Sequence, residues 1–449
     1  MADRPDLLDL CRAAVAAARP GEALEAYAEE SRRTEVEVRD AEVEGLTYAA
    51  SRGLGVRVVA GGRLGYAWAS DPGPEEVLEV VARARENAAV ATPDEHNVLP
   101  GPSPVAPMPE LFRAAQAGMP TERKVALALD LERATVGLDP KVRRVERAEV
   151  GDAVSRVAIS STTGILAAYE RTDCWCAAVA LAEEGEETQT GFSFRIGREL
   201  DELGWEEVGR EAASRAARML GAVKPPTARL PVILDPFAGS SFLGVLAGAL
   251  SAESVLKGRS LFAGLVGERV ASEPFVLVDD GRLLAGPAVA PFDDEGVPTS
   301  RTELVTGGVL RGFLHDTYTA HRAGTVSTGN ARRAGYRSTP AVGATNLHLL
   351  PGPEPPERLL VRAEGGVLIQ DVSGVHSGAN PVSGEFSVGA TGLRIGPGGE
   401  LAEPLREMTV ASTLPEILRA VVAVADDLRF FASVGIPTVL VGEMTLGGR

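Results

Sequence analysis

The stretch Leu234–Gly264 (LDPFAGSSFLGVLAGALSAESVLKGRSLFAG) constrains the fold more tightly than any other. It reads as one long helix, Asp235–Lys257, with a written start and stop. Asp235 can cap the first turn, and Pro236 suits the first helical position because its missing N–H would be unpaired there anyway. Phe242, Val245, Leu246, Ala249 and Leu250 recur at helical spacing and form an apolar stripe. The opposite face, Ser241, Gly244, Gly248 and Ser251, is almost bare. Each mid-helix glycine costs roughly 1 kcal/mol against alanine, so the bareness calls for a close neighbour. Lys257 and Gly258 supply a basic last turn and a glycine stop.

A chain of 449 residues is too long for one core and divides into several units. Residues 1–91 combine an N-terminal helix, Leu7–Ala18, with a strand-rich block and a second helix, Pro74–Val90, in a compact α+β unit. Within that block Gly61-Gly62 marks a hairpin, because both turn residues need positive φ. Residues 92–110 carry six prolines and form an extended linker. Residues 111–226 hold a helix at Thr121–Val136 and an antiparallel meander with a turn at Gly151-Asp152. A helix at Leu200–Leu220 ends that meander. Residues 227–449 form a glycine-rich β domain around the central helix, with a late helix at Pro415–Leu428. The fold class is therefore α+β: N-terminal α/β sandwich-like units followed by a β-rich C-terminal domain.

The net charge of −17 argues against a sequence-independent hold on nucleic acid, which draws its affinity from paired phosphates. Three cysteines (Cys11, Cys174, Cys176) cannot make a disulfide framework and fit a reducing compartment. No basic leader and no long apolar run is present, so a cytoplasmic protein is expected.

Common catalytic signatures are missing. No histidine is followed by glutamate, no serine has glycine two residues away on both sides, and no Gly-Lys pair forms a P-loop. Asp279-Asp280 and Asp293-Asp294-Glu295-Gly296 have the ligands of a hard-cation site, but such runs beside glycine are more often solvated turns. Arg259, Asn330, Arg332, Arg333, Arg337, His376 and Asn380 lie in glycine-rich loops, where they can line a peptide or anion site or simply cap the loops.

Several ordered blocks carry a resemblance. LKGRSLFAGLVGERVASEPFVLVDD, PFDDEGVPTSRTELVTGGVLRGFLHDTYTAHRAGTVSTGNARR, HSGANPVSGEFSVGATG and GIPTVLVGEMTLGG resemble the TldD/TldE (PmbA) family, with GLGVRVVAGGRLGYAWASD as the best N-terminal marker. In that family the TldD kind of subunit carries His-Glu-x-x-x-His on the helix before the GRS-like block, plus a late cysteine, and these bind the catalytic metal. Here Leu243, Gly244 and Gly248 stand where that motif's three ligands would, and no cysteine follows Cys176. The resemblance therefore implies the metal-free TldE (PmbA) kind, with no cofactor of its own. It implies a TldD-like partner that holds zinc, and unfolded or short peptides, including modified precursors, as substrates. A homodimer of the isolated chain is compatible with it, and a homodimeric peptide-binding or regulatory protein is the alternative. The glycines at the lost positions are expected to let a neighbouring backbone fill the space. The β-rich third domain is expected to offer a sheet edge for an extended peptide.

Overall fold

The computed structural model describes residues 5–448. Its N-terminal half is built on long strands: β1 (Glu22–Arg39), β2 (Glu42–Ala60), β3 (Arg63–Ser70), β4 (Val142–Ser161), β5 (Leu166–Glu184) and β6 (Glu187–Gly197). They form one antiparallel sheet in the order β3-β2-β1-β4-β5-β6. The β1–β4 pairing, with Tyr27 opposite Ile159, carries this sheet across the stretches 1–91 and 111–226. Alternation along each strand sends Leu24, Ala26 and Ala28 under the helices Leu7–Ala16 and Pro74–Val90. Val142, Val150, Cys174 and Cys176 lie under Thr121–Val136 and Trp205–Ala217. Tyr27, Val157 and Ile159 point the other way, onto Phe292 and Tyr336 of the C-terminal domain.

The Gly61-Gly62 turn forms as read, with φ of 56° and 74°. Gly151-Asp152 does not turn; both lie inside β4. A Cβ on Gly151 would meet the Trp175 ring at 2.2 Å, so the glycine makes room for an indole on the next strand. Asp152 is buried and accepts from Lys124 Nζ (2.6 Å) and Gln116 Nε2 (2.9 Å) of the helical layer. The Leu200–Leu220 helix is interrupted: Gly204, at φ 61°, separates a single turn from Trp205–Ala217.

In the C-terminal domain β7 (Ala228–Leu234) lies between Val367–Ser373, to which it is parallel, and Val439–Gly447. Glu385–Ile395 and Leu401–Thr413 continue from Val367–Ser373. Pairing of Leu401–Thr413 with Val439–Gly447 then closes five strands into a barrel. Val421–Val424 pairs with Val439–Val441 outside that ring, so the domain keeps a sheet edge there. A second six-stranded sheet runs from Val309–Leu310 to Arg429–Phe431. Phe242, Leu243 and Leu246 of the central helix join residues of both sheets in the largest apolar core.

The central helix has its predicted start, with the Asp235 carboxylate accepting from Phe237 N–H at 2.9 Å. It stops sooner than its sequence suggests. Regular helix covers Pro236–Ala249, and a second helix covers Ala252–Leu256. The break comes from a strand-like contact: Leu314 N–H donates to Leu250 C=O (3.0 Å), and Ala252 N–H donates to Leu314 C=O (2.9 Å). Gly258, at φ 66°, closes the second helix instead of the first. The late helix is also short, Leu414–Arg419, and residues 421–424 form a strand against Val439–Val441. The proline-rich stretch has no regular element before the single turn Pro109–Leu111. It is nevertheless seated, since Asp94 N–H donates to Gly62 C=O and Thr163 Oγ1 donates to Pro100 C=O. Among the described residues, no helix is long and apolar enough to cross a membrane.

Candidate functional site

The central helix turns Leu243, Gly244 and Gly248 to different surroundings. Leu243 is wholly buried in the apolar core. Gly244 and Gly248 are exposed, and a Cβ built on either meets nothing within 4 Å. The expectation that a neighbouring backbone fills this space fails: within this chain the bare face is open. Glycine in an open helix interior is intrinsically unfavourable, so Gly244→Ala and Gly248→Ala are each expected to stabilise the isolated chain by up to about 1 kcal/mol. Thermal melts of the two variants check this. A lowered melting temperature would mean that the chain itself closes on those positions.

The acidic run Asp293-Asp294-Glu295 is not a solvated turn. Asp293 and Glu295 are each 1% exposed, and they sit where the C-terminal domain meets the N-terminal sheet. Glu25 and Arg57 lie directly opposite each other on β1 and β2. Arg57 donates from Nη2 to Glu25 (2.6 Å) and pairs through Nη1 with Glu295 (2.8 Å). Arg333 also pairs with Glu25 and lies over the Tyr27 ring at 4.9 Å. Its backbone N–H donates to Asp294 Oδ2 (2.7 Å), and its Nε donates to Asp294 C=O (3.0 Å). Glu295 Oε2 accepts from Thr317 N–H at 2.9 Å. The result is a chain of alternating buried charges joining three parts of the molecule.

Burial opposes charge on Glu25, but Arg57 and Arg333 outweigh it and hold its carboxyl below the usual range. Asp293 goes the other way. Burial, reinforced by the Glu295 charge, pushes its carboxyl well up despite N–H donors from Ala331, Glu295 and Val297. Asp279 is likewise raised by burial, against bonds from Thr345 and Asn330. These groups meet one another and backbone N–H groups, which is the arrangement of a structural core more than of a cation site.

The loop candidates separate accordingly. Asn330 is buried, donating to Asp279 Oδ2 (2.7 Å) and Gly343 C=O (3.1 Å). Arg333 belongs to the buried network, and Arg332 is half-buried beside it. Arg337 lies over the Trp68 ring at 4.9 Å. Asn380 caps its own turn, accepting from Val382 N–H (2.9 Å) and Ser383 N–H (3.2 Å). Arg259 is exposed in a loop, and His376 is exposed on the short helix Val375–Gly378. Glu25 and Arg57 were not candidates, although a charged pair at facing strand positions is a readable signal.

The helix offers no donors for a metal at 243, 244 or 248. Among the described residues, the acids that come close enough to share an ion are Glu35, Glu37 and Glu149, on β1 and β4. That group is already engaged: Arg147 lies 3.5 Å from both Glu37 and Glu149, Arg33 pairs with Glu35, and Trp175 Nε1 donates to Glu149 (2.6 Å).

Models of three domains of the PmbA/TldA metallopeptidases match successive stretches of the chain. Domain 1 matches residues 24–88, the central domain 116–220 and the C-terminal domain 227–448. The chain belongs to the PmbA/TldD metallopeptidase family. It is 26% identical to the metalloprotease PmbA of Escherichia coli O157:H7, covering 92% of this chain and 90% of that one. It is equally 26% identical to the TldD homolog of Haemophilus influenzae, covering 88% and 87%. A Thermotoga maritima protein described as a candidate modulator of DNA gyrase superposes with a TM-score of 0.89 at 26% identity, covering 97% of this chain and 98% of that one. TldE from Thermococcus kodakarensis shares the fold, with a TM-score of 0.87 at 24% identity and coverage of 95% and 97%. Both kinds of family member are thus similar to the chain overall, and only particular positions can distinguish them.

Proposed function

We propose that this chain is the metal-free, TldE-like subunit of a two-subunit metallopeptidase. A TldD-like partner carries zinc, and together they process unfolded or short peptides. One observation carries the reading: the helix positions that would supply His, Glu and His hold Leu243, Gly244 and Gly248. The residues present do not fit a zinc ion, so no chemical step is assigned to this chain. The open glycine face adds support. A helix that keeps two glycines without an internal neighbour is suited to close approach by another chain. The three free, buried cysteines accord with a reducing, cytoplasmic setting.

The test is reconstitution. The isolated chain is expected to hold no stoichiometric zinc and to cleave no peptide. Mixed with a TldD-like subunit bearing His-Glu-x-x-x-His, it should form a heterodimer with chelator-sensitive peptidase activity. Chelator-resistant activity of the chain alone, or zinc held by its own side chains, would overturn the reading. A stable homodimer that ignores the TldD-like subunit would favour the peptide-binding alternative.

A further inference from the structure

Strand β5 is paired on both sides along only part of its length. β6 accompanies it from Cys174 to Glu184, and Leu166–Asp173 is paired with β4 alone. In an antiparallel pair, successive residues turn their N–H and C=O alternately toward one side and the other. Ser161 N–H donates to Ile165 C=O at 3.0 Å, which sets that alternation where β4 turns into β5. Ala167, Tyr169 and Arg171 therefore face β4, and Leu166, Ala168 and Glu170 turn their backbone groups outward. Glu183 N–H, bonded to Lys141 C=O at the far end, keeps the same parity. The outward groups of Leu166, Ala168 and Glu170 have no hydrogen-bond partner among the described residues.

A groove of about 590 Å³ runs along this edge. Val105, Met108 and Phe112 line one side, Leu166 and Tyr169 the other, and Phe292 completes the lining. Val105–Phe112 lines the groove but makes no backbone hydrogen bond to Leu166–Glu170. Leu166 stands 50% exposed at the groove. An uncovered strand edge beside exposed apolar surface is a liability that folded proteins ordinarily remove.

We propose that this groove binds an extended, apolar peptide as an added strand beside Leu166–Glu170. The occupant's chemistry follows from the lining. Three outward residues at two-residue spacing require alternating N–H and C=O groups at strand pitch, about 17 Å over five residues, which a polypeptide backbone supplies. The apolar walls accept aliphatic or aromatic side chains. The charged neighbours at the edge, Arg156 and Glu170, already pair with each other, so the groove asks for no charge. This edge of the N-terminal sheet is open over Leu166–Glu170. The inference rests on that edge and is separate from the subunit reading, so its test uses the isolated full chain with no partner.

Fluorescence anisotropy with a labelled peptide of about eight residues, alternating valine and threonine, reads the binding. Ala168→Pro removes one outward N–H and leaves the β4 ladder intact. It is expected to weaken binding by about tenfold or more with an unchanged melting temperature. The same peptide N-methylated at every second residue, on the edge that faces β5, is expected not to bind the unmodified protein. That arm stands even if Ala168→Pro misfolds. Equal affinity for methylated and unmethylated peptides, or no binding of either, would overturn the proposal. So would a homodimer abolished by Ala168→Pro, because the edge would then belong to a second copy.

Discussion

Replacing Arg57 by methionine is expected to lower the free energy of unfolding by about 3–5 kcal/mol. The side chain is nearly inaccessible and lies between two carboxylates that are each 1% exposed, Glu25 and Glu295. Despite the burial, those two charges hold the guanidinium more firmly protonated than usual. Without Arg57, Glu25 keeps Arg333, but Glu295 keeps only the Thr317 N–H. The loss is the penalty of a stranded charge, which is larger than the net worth of the pair. The double variant Arg57→Met/Glu295→Gln, which removes that charge, should recover part of it. Urea unfolding of wild type and both variants checks the prediction. Equal midpoints for the wild type and Arg57→Met would mean that Glu295 finds another partner.

The second large effect is with acid. Glu211, on the helix Trp205–Ala217, accepts from Ser193 Oγ (2.7 Å) and Arg195 Nη1 (3.1 Å) and pairs with Arg429 of the C-terminal domain. Burial works against its charge, but Arg429, Ser193 and Arg195 outweigh it and bring its carboxyl down to about 2. A folded-state value below the unfolded one contributes stability that is complete above the unfolded value of about 4.5. That stability disappears as pH falls toward about 2. The contribution is at most about 3 kcal/mol. Asp279 and Asp293, raised by burial, act with the opposite sign and gain stability on acidification. The comparison is therefore wild type against Glu211→Gln. The variant should be less stable near neutrality, and the gap should close between about pH 5 and pH 2. A gap that stays constant with pH would remove the ion cluster as its cause.

Local signals in the chain were legible and distant ones were not. Asp235 and Pro236 announce the start of the central helix because capping involves only neighbouring residues. Its end at Ala249 depends on Leu314, more than sixty residues on, and no local pattern reports that contact. Gly61-Gly62 and Gly151-Asp152 look like the same punctuation. The first is a turn, and the second is a strand interior where Trp175 occupies the space over the glycine. The acidic run at residues 293–295 reads as solvated because its counter-charges, Arg57 and Arg333, come from other parts of the chain. That Leu243, Gly244 and Gly248 offer no donor group was legible, because it follows from the residue types alone. The bare helix face was legible too, but no residue of this chain closes on it at Gly244 or Gly248.

The barrel's connectivity also bears on how the protein is made. β7, the first strand of the C-terminal domain, lies between Val367–Ser373 and Val439–Gly447, and the latter is made more than 200 residues after it. The six-stranded N-terminal sheet is complete by Gly197 and can form during synthesis. The barrel must wait for Val439–Gly447, so one flank of β7 stays uncovered until that strand is made. A nascent chain of this protein therefore carries a finished half and an unsealed half, and that interval is when a chaperone has most access to it.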